Sequence, residues 1–124
     1  SLPPAVARAL LGPAARIGVS VHSADEARDA ADARSRTPDF LLVGTLFATP
    51  SHPDRPGAGV GLLAEVGAAR PGLPLVGIGG VDPGRLPQLR AAGAHGCAVL
   101  RGVWDAASPA AAVERYLTVW QQQE

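Results

Sequence analysis

Leu73-Pro-Leu-Val-Gly-Ile-Gly-Gly-Val-Asp-Pro83 is the stretch that decides the fold of this chain. An apolar run of strand length ends in Gly79 and Gly80. A helix start follows, because Asp82 is an N-cap residue type and Pro83 suits the first helical position. Glycine has no Cβ, so the backbone N–H groups of the pair can approach an anion closely. The stretch therefore predicts either a phosphate-binding turn or a purely structural strand-to-helix turn.

The same strand-then-helix pattern repeats on both sides of this stretch. Apolar segments typical of buried parallel strands occur at 16–21, 39–44 and 96–100. Helical spacing and capping signals predict helices over 2–11, from Ser23 to about Arg34, over 60–70 and 83–92, and from Ser108 onwards. The result is an α/β chain, α-(βα)₄, forming one domain over residues 1–124. Four βα units are half of a TIM barrel, which takes about 250 residues; a small open sheet with helices on both faces is the alternative.

Composition narrows the classes of function. The 124 residues carry 11 basic and 11 acidic side chains, so net charge favours neither nucleic acid nor an anionic membrane as a partner. Every basic residue is Arg, which excludes Schiff-base chemistry on a lysine. Cys97 is the single cysteine, which is typical of a reducing, cytoplasmic location. The sequence has no apolar run of membrane-spanning length and no signal-peptide pattern.

The remaining sequence patterns give no evidence of a metal site or a dinucleotide site. His95 and Cys97 lack partners at ligand spacing, so the sequence predicts no metal site. Gly77-x-Gly79 is not a dinucleotide fingerprint, because Asp82 stands where the third glycine belongs. The loop 45–59 is rich in Pro and Gly, and its length indicates a functional or disordered segment.

Five segments, in order and spacing, resemble the thiamine-phosphate synthase/TenI family of TIM barrels. They are Ile17-Gly-Val-Ser-Val-His-Ser23, Asp39-Phe-Leu-Leu-Val-Gly44, Phe47-Ala-Thr-Pro-Ser-His-Pro53, Ile78-Gly-Gly-Val81, and Gly93-Ala-His-Gly96 with Leu100-Arg-Gly-Val-Trp104. The resemblance covers the C-terminal half of the family's barrel. It implies an enzyme of thiamine biosynthesis that binds a thiazole phosphate. It also implies no cofactor in this chain, since the family's Mg²⁺-binding carboxylates and much of its pyrimidine site belong to the other half.

The resemblance assigns a phosphate site to the last two strands. Gly79 and Gly80 match the family's seventh-strand glycines, whose backbone binds the thiazole phosphate. Leu100, Arg101 and Gly102 match the turn after the eighth strand, which completes that site. TIM barrels commonly bind phosphate between these two loops, so the physical expectation agrees. For Arg101 the alternative is an ion pair at the surface.

The resemblance also assigns residues to the two reactions of the family. Ser20 and Thr49 match positions that contact pyrophosphate, and His52 replaces the lysine expected to stabilise that group as it departs. His22 matches the histidine with which TenI-type thiazole tautomerases move a proton, a task that suits imidazole. The pattern therefore favours tautomerase-type proton transfer over coupling of a pyrimidine diphosphate with thiazole phosphate. The alternative for His22 is a cap on the following helix.

A half-barrel leaves two sheet edges and one apolar face without a partner. We therefore expect the 124-residue chain to self-associate or to be marginally stable, and the native protein to be longer than the sequence that starts at Ser1. The partners predicted are a small-molecule thiazole phosphate and either a second copy or the missing N-terminal half. The structural alternative is that the first helix covers the sheet with Val6, Leu10 and Leu11. The functional alternative is that the chain is a non-catalytic, phosphate-binding half-barrel or a degenerate fragment.

Overall fold

One parallel sheet organises the chain, and helices alternate with its strands. The computed structural model describes residues 2–30, 37–50, 53–54 and 56–122. The strands pair in the order β1-β2-β3-β4, with bounds Gly18–Val21, Phe40–Val43, Leu75–Ile78 and Gly96–Ala98. The helices are α1 Pro4–Leu11, α2 Ala24–Asp29, α3 Gly61–Ala69, α4 Leu86–Ala91, α5 Arg101–Trp104 and α6 Pro109–Gln121. The predicted α/β class, a half-barrel of TIM-barrel type with four βα units, is confirmed.

Alternation along the strands gives the sheet two different faces. On one face, Val21, Leu41, Val43 and Leu75 are buried against the helices. Their partners in this core come mainly from α3 and α4: Leu62, Leu63, Val66, Leu86 and Leu89. Helices α2, α3, α4 and α6 therefore contribute buried residues to the core on this face.

The opposite face is the concave side of the half-barrel and is only partly covered. Phe40, Leu42 and Val76 are half-buried there, and Ile78 is 40% exposed. The alternative in which α1 covers this face is not what the structure shows, because Val6, Leu10 and Leu11 are 43%, 72% and 64% exposed. The residues described leave the apolar concave face open to a further partner.

α1 is instead attached to the amino end of the sheet through Arg8. Its guanidinium donates to Asp39 Oδ2 at 2.7 Å, to Thr37 Oγ1 at 2.8 Å and to the Ala15 carbonyl at 2.6 Å. The same Asp39 oxygen accepts the Ile17 N–H at 2.7 Å. The Ile17 N–H and then the Arg8 guanidinium lower the pKa of Asp39 below its usual value. One charged cluster thus joins α1, the start of β1 and the start of β2.

Element boundaries differ from the prediction after β3 and after β4. The helix expected over 83–92 begins as a 3₁₀ turn, Pro83–Arg85, and the α-helix starts at Leu86, because Pro87 fits only the first turn of a helix. The turn expected at 100–102 is the single-turn helix α5. The last part of the predicted second helix, residues 31–34, lies outside the described residues.

Candidate active site

A cavity of about 570 Å³ lies at the carboxyl ends of the four strands. Because the strands are parallel, the segments that follow them reach the same edge of the sheet. Eight of the nine predicted site residues line this cavity: Ser20, His22, Thr49, Gly79, Gly80, Leu100, Arg101 and Gly102. The ninth, His52, lies outside the described residues. The structure thus brings the eight residues together, and their chemical roles stay predictions.

Both glycines of the turn after β3 need to be glycine. Gly79 has φ +103° and Gly80 has φ +62°, a region that side-chain-bearing residues rarely adopt. A Cβ on Gly79 would lie 2.6 Å from Thr45 Cγ2, and one on Gly80 would lie 2.9 Å from Phe47 Cβ. The turn therefore packs closely against the segment that follows β2, and its backbone forms part of the cavity wall.

His22 is held at the mouth of the cavity by the first turn of α2. Ser23 caps this helix by accepting the Glu26 N–H at 3.0 Å, as the capping-box pattern predicted. The Glu26 carboxylate reaches back and accepts the His22 backbone N–H at 2.7 Å, and it lies 3.1 Å from His22 Nδ1. These contacts lower the pKa of Glu26, the backbone hydrogen bond most of all. Glu26 thereby lies within hydrogen-bond distance of one ring nitrogen of His22.

The segment after β4 forms the opposite wall. α5 begins at Arg101, and the Leu100 carbonyl accepts from Val103 N and Trp104 N at 3.2 and 2.9 Å. The Arg101 guanidinium lies 3.6 Å from the Asp105 carboxylate, and both side chains are more than half exposed. The surface ion pair considered for Arg101 is therefore formed, in a pair that solvent screens strongly.

Three residues around the cavity were missed by the sequence analysis. Thr45 and Val81 line the cavity beside the predicted residues. Each directly follows a segment already assigned to the site, so position along the strands could have indicated both. The contact of Glu26 with the ring of His22 is visible only in the structure.

A divalent cation finds no suitable ligands in the described part of this cavity. None of the lining residues that the structure describes carries a carboxylate, which is the ligand Mg²⁺ prefers. Among the described residues there is also no cluster of three or more His, Cys, Asp or Glu that could hold a metal ion. His95 has a different partner, since its Nδ1 accepts the Leu75 N–H at 3.1 Å at the amino end of the sheet.

Sequence comparison identifies the family. The family described as thiamine monophosphate synthase matches residues 1–103. The chain belongs to this family. Among curated members, it is 40% identical over 113 residues to the thiamine-phosphate synthase of Mycolicibacterium smegmatis. It is also 44% identical over 117 residues to the thiamine biosynthesis bifunctional protein ThiM/ThiE of Symbiobacterium thermophilum.

The similarity extends to the fold of a solved family member. The thiamine phosphate pyrophosphorylase of Pyrococcus furiosus superposes with a TM-score of 0.82 at 27% identity, over 99% of this chain and 56% of that one. The chain spans 48% of the M. smegmatis protein and 24% of the S. thermophilum protein, and the alignments cover 91% and 94% of this chain. It thus corresponds to about half of a family barrel. No helix among the described residues has the length and apolar character needed to cross a bilayer.

Proposed function

We propose that this chain binds a thiazole phosphate at the carboxyl ends of its strands and acts in the formation of thiamine phosphate. The observation that carries the proposal is the single cavity in which the segments after all four strands meet. Parallel α/β enzymes place their reacting groups at this end of the sheet. The family's thiamine-phosphate synthases, at 40% identity and above, support the choice of reaction.

The phosphate lies between the segments after β3 and β4. The backbone N–H groups of Gly79, Gly80 and Gly102 donate to its oxygens, since all three residues line the cavity. Arg101 exchanges its exposed Asp105 partner for the phosphate, a stronger charge-assisted contact inside the cavity. This arrangement makes the phosphate, rather than the thiazole ring, the main source of affinity.

The hydroxyl and imidazole groups serve the reacting parts of the substrates. Ser20 and Thr49 donate hydrogen bonds to the pyrophosphate of a pyrimidine diphosphate, and His52 replaces the usual lysine of the family loop. In the second candidate function, thiazole tautomerisation, His22 moves a proton. The Glu26 contact with His22 Nδ1 favours this candidate, because it leaves Nε2 for the substrate.

The half-barrel acts together with a second half. The open concave face with Phe40, Leu42 and Ile78 is closed by four further strands, either from additional chain or from a second copy. Any Mg²⁺ needed for coupling is held by carboxylates of that second half. The location is the cytoplasm, in which the lone Cys97 stays reduced.

Calorimetry with thiazole phosphate and with its dephosphorylated alcohol tests the binding site. The wild-type protein should bind the phosphate form at least about tenfold more tightly, since hydrogen bonds to a charged group contribute about 1.5–3 kcal/mol. Gly79→Ala should abolish this preference. Gly93→Ala is the matched control, because Gly93 has a similar φ of +105° with no atom near its missing Cβ. Equal binding of both forms would remove the phosphate site.

Two assays separate the candidate reactions. One follows pyrophosphate release from a pyrimidine diphosphate plus thiazole phosphate, and the other follows interconversion of thiazole tautomers by NMR. Loss of tautomer interconversion in His22→Gln, with pyrophosphate release retained, would assign His22 to proton transfer. Tight phosphate binding without either reaction would identify a non-catalytic phosphate-binding half-barrel.

A further inference from the structure

The turn that follows β3 is fastened through four consecutive backbone carbonyls. The Ile78 and Gly79 carbonyls accept the N–H groups of Leu46 and Phe47, each at 3.0 Å. The next two carbonyls accept from side chains: Gly80 from Arg85 Nη1 at 2.6 Å, and Val81 from the Tyr116 hydroxyl at 2.7 Å. Each carbonyl of the turn is therefore held by a donor within the protein.

A hydrogen bond to a backbone carbonyl also fixes the direction of the N–H group in the same peptide unit. The peptide bond is planar and trans geometry points its C=O and N–H in opposite directions. The Gly80 carbonyl shares its plane with the Val81 N–H, and Val81 lines the cavity. Glycine restricts its own backbone little, so the bond from Arg85 helps to set the direction of this plane.

Arg85 is well held for this task. Its guanidinium lies over the Phe47 ring, 4.2 Å from the ring centroid, and Nε is 3.6 Å from Asp82 Oδ2. Its own backbone N–H is accepted by Asp82 Oδ1 at 3.1 Å. The side chain thus connects the loop after β2, the turn after β3 and the 3₁₀ turn Pro83–Arg85, and it is not among the cavity-lining residues.

We propose that Arg85 is a positioning residue for phosphate binding: it sets the peptide plane after Gly80, so that the Val81 N–H adds a fourth donor beside those of Gly79, Gly80 and Gly102, and it does not itself touch the ligand. The inference rests on the proposed phosphate site. Loss of the Arg85 bond lets the Gly80–Val81 peptide rotate, and binding must then restrict it again, which lowers affinity. The residue therefore controls phosphate affinity from behind the cavity wall.

Arg90 provides a matched control. It stacks on the Trp120 ring at 4.7 Å from the centroid, carries the same charge, and is not among the residues lining the cavity. Arg85→Met and Arg90→Met each remove one charge and one cation–π contact while keeping an apolar stem. Only Arg85→Met removes a hydrogen bond to the turn.

The test measures inorganic phosphate affinity of the full chain by ³¹P NMR, at low and high salt, together with amide hydrogen exchange at 79–82. Arg85→Met should bind phosphate about tenfold more weakly at both salt concentrations, whereas Arg90→Met should change affinity less than about twofold. Exchange of the Val81 amide should accelerate in Arg85→Met alone.

The other possible outcomes would overturn either the positioning role of Arg85 or the proposed phosphate site. Equal affinities of the two variants, or a loss for Arg85→Met that vanishes at high salt, would overturn the positioning role. Unchanged Val81 exchange in Arg85→Met would overturn it as well. Wild-type protein that does not bind phosphate while Val81 exchange still responds would overturn the proposed phosphate site and leave Arg85 with a structural role only.

Discussion

At the amino end of the sheet, charged side chains hold backbone segments together, whereas at the carboxyl end glycines and hydroxyls line an open cavity. Arg8 and Asp39 tie α1, β1 and β2 at the first end, and the His95 ring accepts the N–H of Leu75 there. At the second end, the backbone of Gly79 and Gly80 forms part of the cavity wall, beside Ser20 and other lining residues.

The two ends also use carboxylates in comparable ways. Asp39 accepts the backbone N–H of Ile17 at 2.7 Å, and Glu26 accepts that of His22 at 2.7 Å. The partner of Asp39 is a half-buried Arg that bonds three further groups, whereas the partner of Glu26 is an exposed imidazole beside the cavity. Similar geometry therefore joins backbone segments through a half-buried guanidinium at one end and holds an exposed imidazole beside the cavity at the other.

The largest effect on stability is expected at the amino end. Arg8→Ala should lower the free energy of unfolding by about 2–3 kcal/mol, because it leaves a partly buried carboxylate and two carbonyls without their charged donor. Phosphate affinity should stay within about twofold, since the cavity is at the other end. Urea denaturation and phosphate titration measure the two quantities.

Arg28→Ala is the control for Arg8→Ala. Arg28 also forms a 2.7 Å ion pair with an aspartate, Asp25, but the side chains are 58% and 90% exposed. Its removal should cost less than about 0.5 kcal/mol, as for other surface pairs. Equal losses of unfolding free energy in Arg8→Ala and Arg28→Ala would show that burial does not make the Arg8–Asp39 pair more stabilising than an exposed pair.

Replacement of Tyr116 should change both stability and phosphate binding, whereas Arg8→Ala should change stability alone. Its buried hydroxyl donates to the Val81 carbonyl, and a Cβ on Gly102 would collide with that hydroxyl, so Tyr116 touches both walls of the cavity from α6. Tyr116→Phe should cost about 1–2 kcal/mol of stability, since it leaves the Val81 carbonyl without its donor, and should also weaken phosphate binding. Thr118→Val removes an exposed hydroxyl from the same helix and should do neither.

The pH dependence of the same variant gives a second measurement. Burial, and then the charge of Asp82, raise the pKa of Tyr116 above its usual value of 10.0. The associated stability is present below pH 10 and is lost as the pH rises through the raised pKa. Wild-type protein should therefore lose stability relative to Tyr116→Phe in strong alkali. Parallel alkaline unfolding curves would contradict this.

The elements of the fold could be predicted because their signals are local. Three side-chain N-caps were each recognisable within a few residues, and in the structure Ser23, Asp82 and Ser108 accept the N–H three positions on. The grouping of the site residues followed from parallel strands that end at one edge. The family resemblance then linked those positions to chemistry that periodicity alone does not specify.

The contacts that fasten the two ends could not be predicted, because they join distant positions through ordinary residue types. Arg8 and Asp39 are 31 positions apart, and Tyr116 and Val81 are 35 apart. Hydrophobic periodicity indicates which face of a helix is buried, but it does not indicate which acceptor a tyrosine hydroxyl binds.

A smaller effect on stability is expected in acid, where the carboxylate of the amino-end cluster is protonated. The Ile17 N–H and Arg8 lower the pKa of Asp39, so its contribution is present above the unfolded value near 3.8 and is lost as the pH falls through the lowered pKa. Wild-type protein should lose more stability than Asp39→Asn between about pH 6 and about pH 2. Thermal unfolding across this range tests it, with Asp25→Asn as the exposed control. Equal acid sensitivity of wild type and Asp39→Asn would remove Asp39 from the amino-end cluster.

The smallest effect on stability, and the clearest sign of a different role, is expected for Glu26→Gln. The His22 backbone N–H and ring lower the pKa of Glu26, yet both side chains are more than half exposed, so solvent screens the pair. The urea midpoint at neutral pH should therefore barely change. The ring of His22 should respond instead, because an amide can no longer attract a proton on Nδ1 as a carboxylate does. ¹⁵N NMR should show a shift in the balance of the two neutral His22 tautomers, with His95 unchanged as internal reference. A large loss of stability with no change at the His22 ring would place Glu26 among the structural carboxylates, beside Asp39.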